Sequence, residues 1–169
     1  MSEFDHQDLK MALGNFATGV TIVTTRSNGS DIGMTCNSFA SVSLEPAMVL
    51  WSIRKASISH EIYVNGSGYT VNVLSADQEL LALDFSRGVP EERFANAATE
   101  RLDSGRLKIV GCASWFDCAL EQVVSAGDHD ILIGRVLDFG STRCDVLGYA
   151  HSEFKALSAA QTRPSVAAC

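Results

Sequence analysis

The feature that most restricts the fold is a series of strand-forming segments in the first third of the chain, with no helix between them. Residues 19–25 (Gly-Val-Thr-Ile-Val-Thr-Thr) are rich in β-branched residues and end at the turn cluster Ser27-Asn28-Gly29-Ser30, which predicts a hairpin. Residues 32–44 and 47–53 are further predicted strands, separated by Glu45-Pro46. Parallel neighbours need a long crossover connection, so this order disfavours a doubly wound parallel sheet.

Short helices are predicted between the other strands. Leu9, Leu13 and Phe16 are spaced as on one helical face, which predicts an amphipathic helix over residues 5–17. A second short helix is predicted over residues 57–65. Ser75-x-x-Gln78 is a capping-box pattern and predicts a helix that continues through Phe85.

The remaining chain adds three predicted strands, over residues 69–74, 109–124 and 130–140, with a polar, irregular stretch at 95–108. Gly88-Val89-Pro90 is predicted to break the chain after the third helix. The pattern favours a mainly β protein with short helices, folded as a closed or half-open antiparallel barrel, because closure removes exposed strand edges. We expect one domain over residues 1–157 and a frayed tail over 158–169.

Composition indicates which classes of partner and which cellular compartment to expect. The 13 Lys+Arg against 20 Asp+Glu give a net charge of −7, which argues against nucleic-acid binding. A local pair of cations, Arg54-Lys55, can still hold a small anion. The five cysteines are widely spaced and form no C-x-x-C motif, which predicts reduced thiols, no zinc or other metal site, and a cytoplasmic location. No signal-like start or bilayer-length apolar run is present, so no membrane association is expected.

Signatures of several common enzyme classes are missing. The chain has no G-x-x-x-x-G-K-[ST], no G-x-S-x-G and no complete G-x-G-x-x-G motif. His60-Glu61 begins like a zincin motif, but Val64 stands where the second histidine would have to be. Nucleotide hydrolysis, serine-esterase chemistry and zincin chemistry are therefore poorly supported.

Three stretches could carry chemistry. Residues 33–46 combine small hydroxyl and amide side chains that suit a flat heteroaromatic ligand, or simply form a half-exposed strand. Residues 51–60 place Arg54-Lys55 and two serines at a helix start, which suits a phosphate, or is a serine N-cap with solvated cations. Residues 127–136 place His129 at the start of an apolar strand, where it could contact a ligand ring or be a turn residue.

Taken together, these stretches resemble the flavin reductase-like family. The resemblance runs from about Leu9 to Leu157. It includes Leu-Gly-x-Phe-Ala-Thr-Gly-Val-Thr-x-Val-Thr-Thr at 13–25 and Gly-Met-Thr-x-Asn-Ser-Phe-x-Ser-Val-Ser-Leu-x-Pro at 33–46. Val-Asn-Val-Leu at 71–74 and Gly-Asp-His at 127–129 complete it. The resemblance implies the FMN-binding split barrel, an antiparallel barrel of Greek-key type.

The resemblance also assigns roles to individual residues. The flavin ring and ribityl chain would be held by Met34, Thr35, Cys36, Asn37 and Ser38, the first and third through their backbone. The phosphate end would lie on Ser52, Ile53, Arg54, Lys55, Ala56 and Ser57. Phe85 and Ser86 would border the cofactor, and His129 would position the nicotinamide without acting as an acid or base. Many relatives carry Ala in place of Cys36, a small change in size that flavin binding should tolerate.

Members of this family reduce free FMN or FAD with NADH or NADPH, are usually homodimers, and often deliver reduced flavin to a separate monooxygenase. The resemblance therefore implies an NAD(P)H:flavin oxidoreductase with these cofactors and partners. Two alternatives remain open. The first is a flavoprotein that keeps its flavin bound and reduces a quinone, metal complex or corrin. The second is a non-catalytic flavin- or haem-binding module.

Overall fold

The computed structural model describes residues 5–87 and 92–158. Within them the protein is mainly β, and every strand pair is antiparallel, which confirms the predicted fold class. The strands are β1 (Thr18–Gly19), β2 (Thr21–Ser27), β3 (Ser30–Cys36), β4 (Ala40–Leu44), β5 (Ala47–Arg54), β6 (Gly68–Val73), β7 (Thr99–Arg101), β8 (Leu107–Ile109), β9 (Ser114–Ala126), β10 (His129–Ser141), β11 (Val146–Ala150) and β12 (Glu153–Leu157).

Three short α-helices lie between the strands: α1 (His6–Leu13), α2 (His60–Val64) and α3 (Glu79–Arg87). Helix α1 begins after Asp5, whose carboxylate accepts hydrogen bonds from the backbone N–H groups of Gln7 and Asp8. A 3-10 turn, Ala76–Gln78, leads into α3. The Gln78 side-chain oxygen accepts from the Ser75 N–H at 3.2 Å, as the capping-box pattern predicted.

The main sheet has seven strands in the order β3-β2-β6-β9-β10-β5-β4. It curls on itself, because β5 and β6 are separated by two strands in this order and still meet across the core. The Trp51 ring on β5 lies 5.6 Å from the Tyr69 ring on β6 and 5.0 Å from the Tyr63 ring on α2. The Tyr63 hydroxyl donates a hydrogen bond to the Val23 carbonyl at 2.7 Å. This bond connects β2 to the core that contains Trp51 and Tyr69.

A second apolar core joins the main sheet to a small sheet of β1, β11 and β12. Ala82 and Phe85 of α3 pack there against Ile22 and Leu147. Helix α3 therefore lies between β3 and the β11–β12 hairpin. This arrangement places the helix end beside the polar segment that follows β3.

Helix α1 is shorter than the helix predicted over residues 5–17. It ends at Leu13, and no residue of α1 is buried in the chain. Leu9 and Phe16, which the spacing placed on its apolar face, are 47% and 79% exposed. The spacing identified the helix correctly, and none of the described residues buries its apolar face.

Strand predictions in the second half were less accurate. The stretch 95–108 contains β7 and the start of β8, which pair with each other. The strand predicted over 109–124 begins only at Ser114, after a turn in which Gly111 has φ +80°. Strands β11 and β12 were not predicted. The predicted break at 88–90 and the tail beyond Ser158 lie outside the described residues.

Candidate functional site

A cavity of about 380 Å³ lies between the end of β3, the end of α3 and the β11–β12 hairpin. We call it the central cavity. Four residues predicted from the sequence line it: Thr35, Cys36, Asn37 and Ser86. Six lining residues were not predicted: Val20, Leu83, Arg87, Tyr149, Ser152 and Phe154. We call residues 35–38 the polar segment, and the first three of them line this cavity.

Two hydroxyl groups hold the polar segment in place. The Thr35 hydroxyl donates to the Ala82 carbonyl of α3 at 2.7 Å. The Ser38 hydroxyl accepts from the Ser52 N–H at 2.9 Å and donates to the Ser52 carbonyl at 3.2 Å. Thr35 thus fixes one end of the segment to the helix, and Ser38 fixes the other end to β5. Asn37 is exposed between them and lines the cavity.

Cys36 lies on the cavity wall, with its sulfur 3.1 Å from the Thr21 hydroxyl oxygen. Burial raises the pKa of this thiol, with an opposing contribution from the hydrogen bond to Thr21. The thiol is therefore protonated near neutral pH, which argues against a nucleophilic role. Cys36 serves here as a small, neutral wall residue.

Three of the predicted site residues direct their side chains into the protein. Phe85 and Ile53 are fully buried in the two cores. Met34 is half-buried and packs against the core around Trp51. None of these three residues lines the central cavity.

The predicted phosphate segment lies beside the predicted histidine. Strand β5 pairs with β10 so that Arg54 is opposite His129 and Ser52 is opposite Ile131. Ser57 closes a turn by donating its N–H to the Arg54 carbonyl at 2.9 Å. Ala56 in this turn is exposed. We call residues 54–57 together with 127–130 the β5–β10 end.

Lys55 is held by the β9–β10 turn. Its ammonium donates to the Ser125 hydroxyl at 2.8 Å and to the Gly127 carbonyl at 2.7 Å, and it lies 3.7 Å from an Asp130 carboxylate oxygen. Arg54 is exposed next to it. Of the two predicted cations, Lys55 mainly organises the β5–β10 end, and Arg54 projects from it.

Asp130 joins α2 to the same end of the sheet. Its carboxylate accepts a hydrogen bond from Nε2 of His60 at 2.7 Å, and both side chains are mostly buried. The His60 hydrogen bond, the largest cause, lowers the pKa of Asp130 below its ordinary 3.8, and Lys55 adds to the shift. Asp130 therefore connects helix α2 to the β5–β10 end.

We expect Asp130→Asn to change the acid limb of the stability profile. A carboxyl group with a lowered pKa stabilises the folded state above its ordinary pKa, and this contribution is lost as the pH falls through the folded-state value. The melting temperature of the parent chain should therefore decline below about pH 4 more steeply than that of Asp130→Asn. Thermal melts from pH 3 to pH 7 measure this. Parallel declines in the two proteins would contradict it, and Asp138→Asn, on the same strand, is the control.

His129 is held by its sequence neighbour. Its Nδ1 lies 2.7 Å from an Asp128 carboxylate oxygen, and 39% of its side chain is exposed. This hydrogen bond lowers the pKa of Asp128. With Nδ1–H donating to Asp128, the neutral imidazole presents Nε2 as an acceptor. His129 is absent from the lining of the central cavity and lies at the β5–β10 end, which Ser38 and Ser52 connect to that cavity.

The missed residues carried a weak sequence signal. Residues 146–149 (Val-Leu-Gly-Tyr) and 153–157 (Glu-Phe-Lys-Ala-Leu) are each compatible with a strand, but the residues between them are not a standard hairpin turn. Tyr149 and Phe154 contact each other across this hairpin, with ring centroids 5.4 Å apart. Phe154 alternates with Glu153 and Lys155 as in a half-exposed strand, but Tyr149 lies between Gly148 and Ala150 and has no such signal.

Comparisons with known proteins identify the family of the chain. Residues 13–158 match the family model described as flavin reductase like domain. The chain is 42% identical over 154 residues to the reductase component of flavin-dependent trigonelline monooxygenase from Acinetobacter baylyi, covering 88% of this chain and 49% of that protein. It is 39% identical over 148 residues to the FMN reductase (NADH) SmoA of Agrobacterium fabrum, covering 88% and 84% of the two chains.

A solved structure has the same fold. NADH:FAD oxidoreductase SgcE6 of Streptomyces globisporus, in complex with NAD and FAD fragments, superposes with a TM-score of 0.84 at 28% identity, covering 99% of this chain and 100% of that chain. The protein belongs to the flavin reductase-like family. The chain spans about half the length of the first two curated relatives it matches.

The described part of the chain offers neither a metal site nor a membrane-spanning helix. No group of three or more His, Cys, Asp or Glu side chains is arranged to hold a metal ion there. Residues 5–87 and 92–158 also contain no helix with the length and apolar character needed to cross a membrane.

Proposed function

We propose that the protein is an NAD(P)H:flavin oxidoreductase that reduces free FMN or FAD and supplies the reduced flavin to a separate monooxygenase. The observation that carries this proposal is the central cavity. It combines the hydroxyl and amide groups of the flavin-reductase block with two aromatic residues from a distant hairpin. Membership of the family and the names of the relatives support the same activity.

The residues of the central cavity are chemically suited to a flavin. Thr35, Asn37 and Ser86 offer hydroxyl and amide groups to the polar edge of the ring system. Tyr149 and Phe154 offer apolar surface for its faces, and Arg87 offers a cation for an anionic group. A cavity of about 380 Å³ is within the range for small cofactors. The flavin would be held mainly by β3, its following segment and the end of α3.

When bound, the flavin supplies the two-electron chemistry, with reduced nicotinamide as the hydride donor. The chain's own residues align the flavin with the nicotinamide and exclude water from the contact between them. Thr35 and Ser38 keep the polar segment rigid through their bonds to α3 and β5. The neutral thiol of Cys36 adds no competing nucleophile. His129, with Nε2 as acceptor, is suited to bind the amide N–H₂ of the nicotinamide.

We expect His129→Ala to raise the KM for NADH roughly tenfold, and to change the dissociation constant of the flavin less. The reason is that His129 lies outside the central cavity, at the β5–β10 end. Steady-state kinetics with NADH varied, together with flavin fluorescence titration, measure the two effects. Arg135→Ala, which removes an exposed side chain farther along β10, is the comparison. Unchanged NADH kinetics in His129→Ala would remove this assignment.

Oxidation of NADH followed at 340 nm distinguishes the proposal from its two alternatives. Turnover that depends on added FMN, FAD or riboflavin supports a flavin reductase. Turnover without added flavin, but with an added quinone or metal complex, supports a flavoprotein with tightly bound flavin. Tight binding without turnover supports a binding module. NADPH in place of NADH establishes the nucleotide preference.

We infer that flavin behaves as a substrate, because delivery to a monooxygenase requires its release. The central cavity opens toward solvent at exposed Asn37, Ser86 and Arg87, which supports exchange. Equilibrium dialysis of purified protein should therefore remove flavin. Stoichiometric flavin that survives dialysis would contradict this part of the proposal.

We also propose that the chain forms a homodimer. Four apolar side chains on β4 and β10 are exposed in the single chain: Val42, Leu44, Leu137 and Phe139. We call them the β4–β10 patch. Leu44 is 93% exposed and Phe139 is 65% exposed. The Phe139 ring stacks on Phe116, which in turn contacts Phe39 next to the polar segment. An aromatic row of this kind supports burial against a second copy.

Light scattering should give twice the 18.1 kDa chain mass at micromolar concentration. Phe139→Asp should shift the mass toward the monomer, because it places a charge in the β4–β10 patch. Leu80→Asp, at another highly exposed apolar residue on α3, is the matched control and should leave the mass unchanged. A monomeric parent chain would contradict the dimer without affecting the proposed activity.

The proposed compartment is the cytoplasm. All four cysteines in the described residues have free thiols: Cys36, Cys112, Cys118 and Cys144. Burial raises the pKa of Cys112 to about 11 and that of Cys118 to about 12. Such unreactive thiols are compatible with a reducing environment.

We further propose that residues 1–157 form the catalytic domain and that 158–169 are a tail outside it.

A further inference from the structure

A cavity of about 280 Å³ lies beside the 3-10 turn that leads into α3, and two cysteines line it. We call it the thiol cavity. Cys112 comes from the connection between β8 and β9, and Cys144 comes from the connection between β10 and β11. Both thiols are free. The proposed reaction uses neither of them, so the pair is available for other chemistry.

The backbone holds the two cysteine-bearing connections together. Just beyond the paired residues of β9 and β10, the Thr142 N–H donates to the Ala113 carbonyl at 2.8 Å. Cys112 directly precedes Ala113, and Cys144 follows Thr142 by two residues. A disulfide requires the two Cα atoms to approach within about 7 Å. Two cysteines this close to one hydrogen-bonded backbone pair can meet that requirement through a small movement of either connection.

The two thiols differ in their access to solvent. Cys112 is 8% exposed, whereas Cys144 is half-buried and lies on residues 142–145, which belong to no strand. Burial raises the pKa of Cys112 to about 11, the Lys108 ammonium opposes this shift, and Cys144 adds to it. The contribution of Cys144 agrees with a short distance between the two sulfur atoms. A dissolved oxidant therefore reaches Cys144 first, with Cys112 and the Lys108 charge beside it.

The proposed function supplies an oxidant for these thiols. Reduced flavin that is released into an oxygenated solution passes two electrons to O₂, and the product is hydrogen peroxide. Peroxide converts an accessible cysteine to a sulfenic acid, which condenses with a neighbouring thiol to a disulfide. A flavin reductase is therefore exposed to peroxide whenever its product is not consumed.

We propose that Cys112 and Cys144 are a peroxide-sensitive thiol pair that closes a disulfide. The Cys144 sulfur attacks one peroxide oxygen and breaks the O–O bond, which gives the sulfenic acid and one water. The Cys112 sulfur then attacks the Cys144 sulfur, breaks its S–O bond and releases a second water. The two thiols lose two electrons and two protons, and the peroxide accepts them. Only the source of the peroxide rests on the proposed function.

The disulfide would join two segments that contact the start of α3. The Val110 carbonyl accepts a hydrogen bond from the Gln78 side chain at 2.9 Å, and the Asp145 carbonyl accepts one from the Ala76 N–H at 2.9 Å. A crosslink across β9 and β10 also restricts the unfolded chain. The oxidised protein should therefore melt about 5–10 °C above the reduced protein. Cys144→Ala should show no such difference.

Peptide mapping by mass spectrometry tests the pair directly. The reduced parent chain, treated with hydrogen peroxide and then alkylated, should contain a Cys112–Cys144 disulfide that dithiothreitol reverses. In Cys112→Ala, dimedone should trap a sulfenic acid at Cys144, and in Cys144→Ala the Cys112 thiol should stay reduced. Cys118→Ala removes a different buried thiol and should leave the disulfide yield unchanged. Alanine keeps the buried positions apolar, so these variants should fold.

Peroxide from turnover separates this proposal from the proposed function. Aerobic incubation with NADH and FMN should form the same disulfide, and catalase should prevent it. If added peroxide closes the disulfide but NADH and FMN do not react, the thiol pair stands and the reductase activity fails. If the protein turns over NADH and added peroxide oxidises another cysteine first, or leaves a Cys144 sulfenic acid that Cys112 does not resolve, the thiol pair is overturned and the reductase activity stands.

Discussion

Replacing Arg106 with Met is expected to lower the free energy of unfolding by about 3–5 kcal/mol, which is a large part of the stability of a domain of this size. Arg106 Nε lies 2.7 Å from an Asp117 carboxylate oxygen, and the two side chains are only 8% and 6% exposed. The Thr70 hydroxyl donates to the same oxygen at 3.0 Å. Arg106→Met would leave the Asp117 charge buried without its partner.

The double variant Arg106→Met/Asp117→Leu separates two effects. One is the cost of leaving the Asp117 charge unpaired, and the other is the contribution of the ion pair to the free energy of unfolding. Replacing both members of a buried ion pair with apolar residues is often close to neutral, so most of the lost stability should return. Urea unfolding at pH 7 measures all three proteins. Arg101→Met is the control, because Arg101 pairs with Asp31 at an exposed position and should change the midpoint little. A double variant as unstable as Arg106→Met would contradict this account.

Phe85→Ala is expected to have a similarly large effect on stability and an additional effect on flavin binding. Phe85 is fully buried and its ring packs edge-on against Phe94, with centroids 4.9 Å apart. Removal of a buried phenyl ring costs about 3–5 kcal/mol. Because Ser86 and Arg87 follow Phe85 directly and line the central cavity, collapse of this packing should also raise the KM for flavin several-fold.

Gly33 provides a matched test of the same packing. A Cβ atom at Gly33 would lie 2.5 Å from Cε1 of Phe85, so a larger residue there must displace the ring. Gly33→Ala should therefore cost about 1–3 kcal/mol through overpacking. Combined with Phe85→Leu, which frees space, the loss should be smaller than the sum of the two single effects. Additive losses in urea unfolding would show that the glycine and the ring are independent.

These two positions show how the site depends on residues that do not line the central cavity. Phe85 was predicted to border the cofactor, and the structure places its side chain entirely in the second core. Its contribution is to fix the end of α3 against β3, together with the Thr35 hydroxyl bond to Ala82. Lys55 plays a comparable part at the β5–β10 end, where it binds the β9–β10 turn.

Much of the fold could be predicted from the sequence because it depends on local patterns. The run of β-branched residues from Thr21, the Asn28-Gly29 turn and the absence of an intervening helix led to the correct antiparallel arrangement. The Ser75–Gln78 pattern correctly marked the start of a helix. The contiguous block at 33–46 led to the correct family, because its spacing can be read along one stretch of chain.

The tertiary structure alone decided which of these residues can meet a ligand. Thr35, Cys36, Asn37 and Ser86 line one cavity only because α3 folds back onto β3, 40 to 50 residues away along the chain. The aromatic residues Tyr149 and Phe154 line the same cavity because the β11–β12 hairpin lies beside the end of α3. The physical reason is that side-chain periodicity specifies which face of an element is apolar, whereas the partner of that face depends on contacts between distant segments.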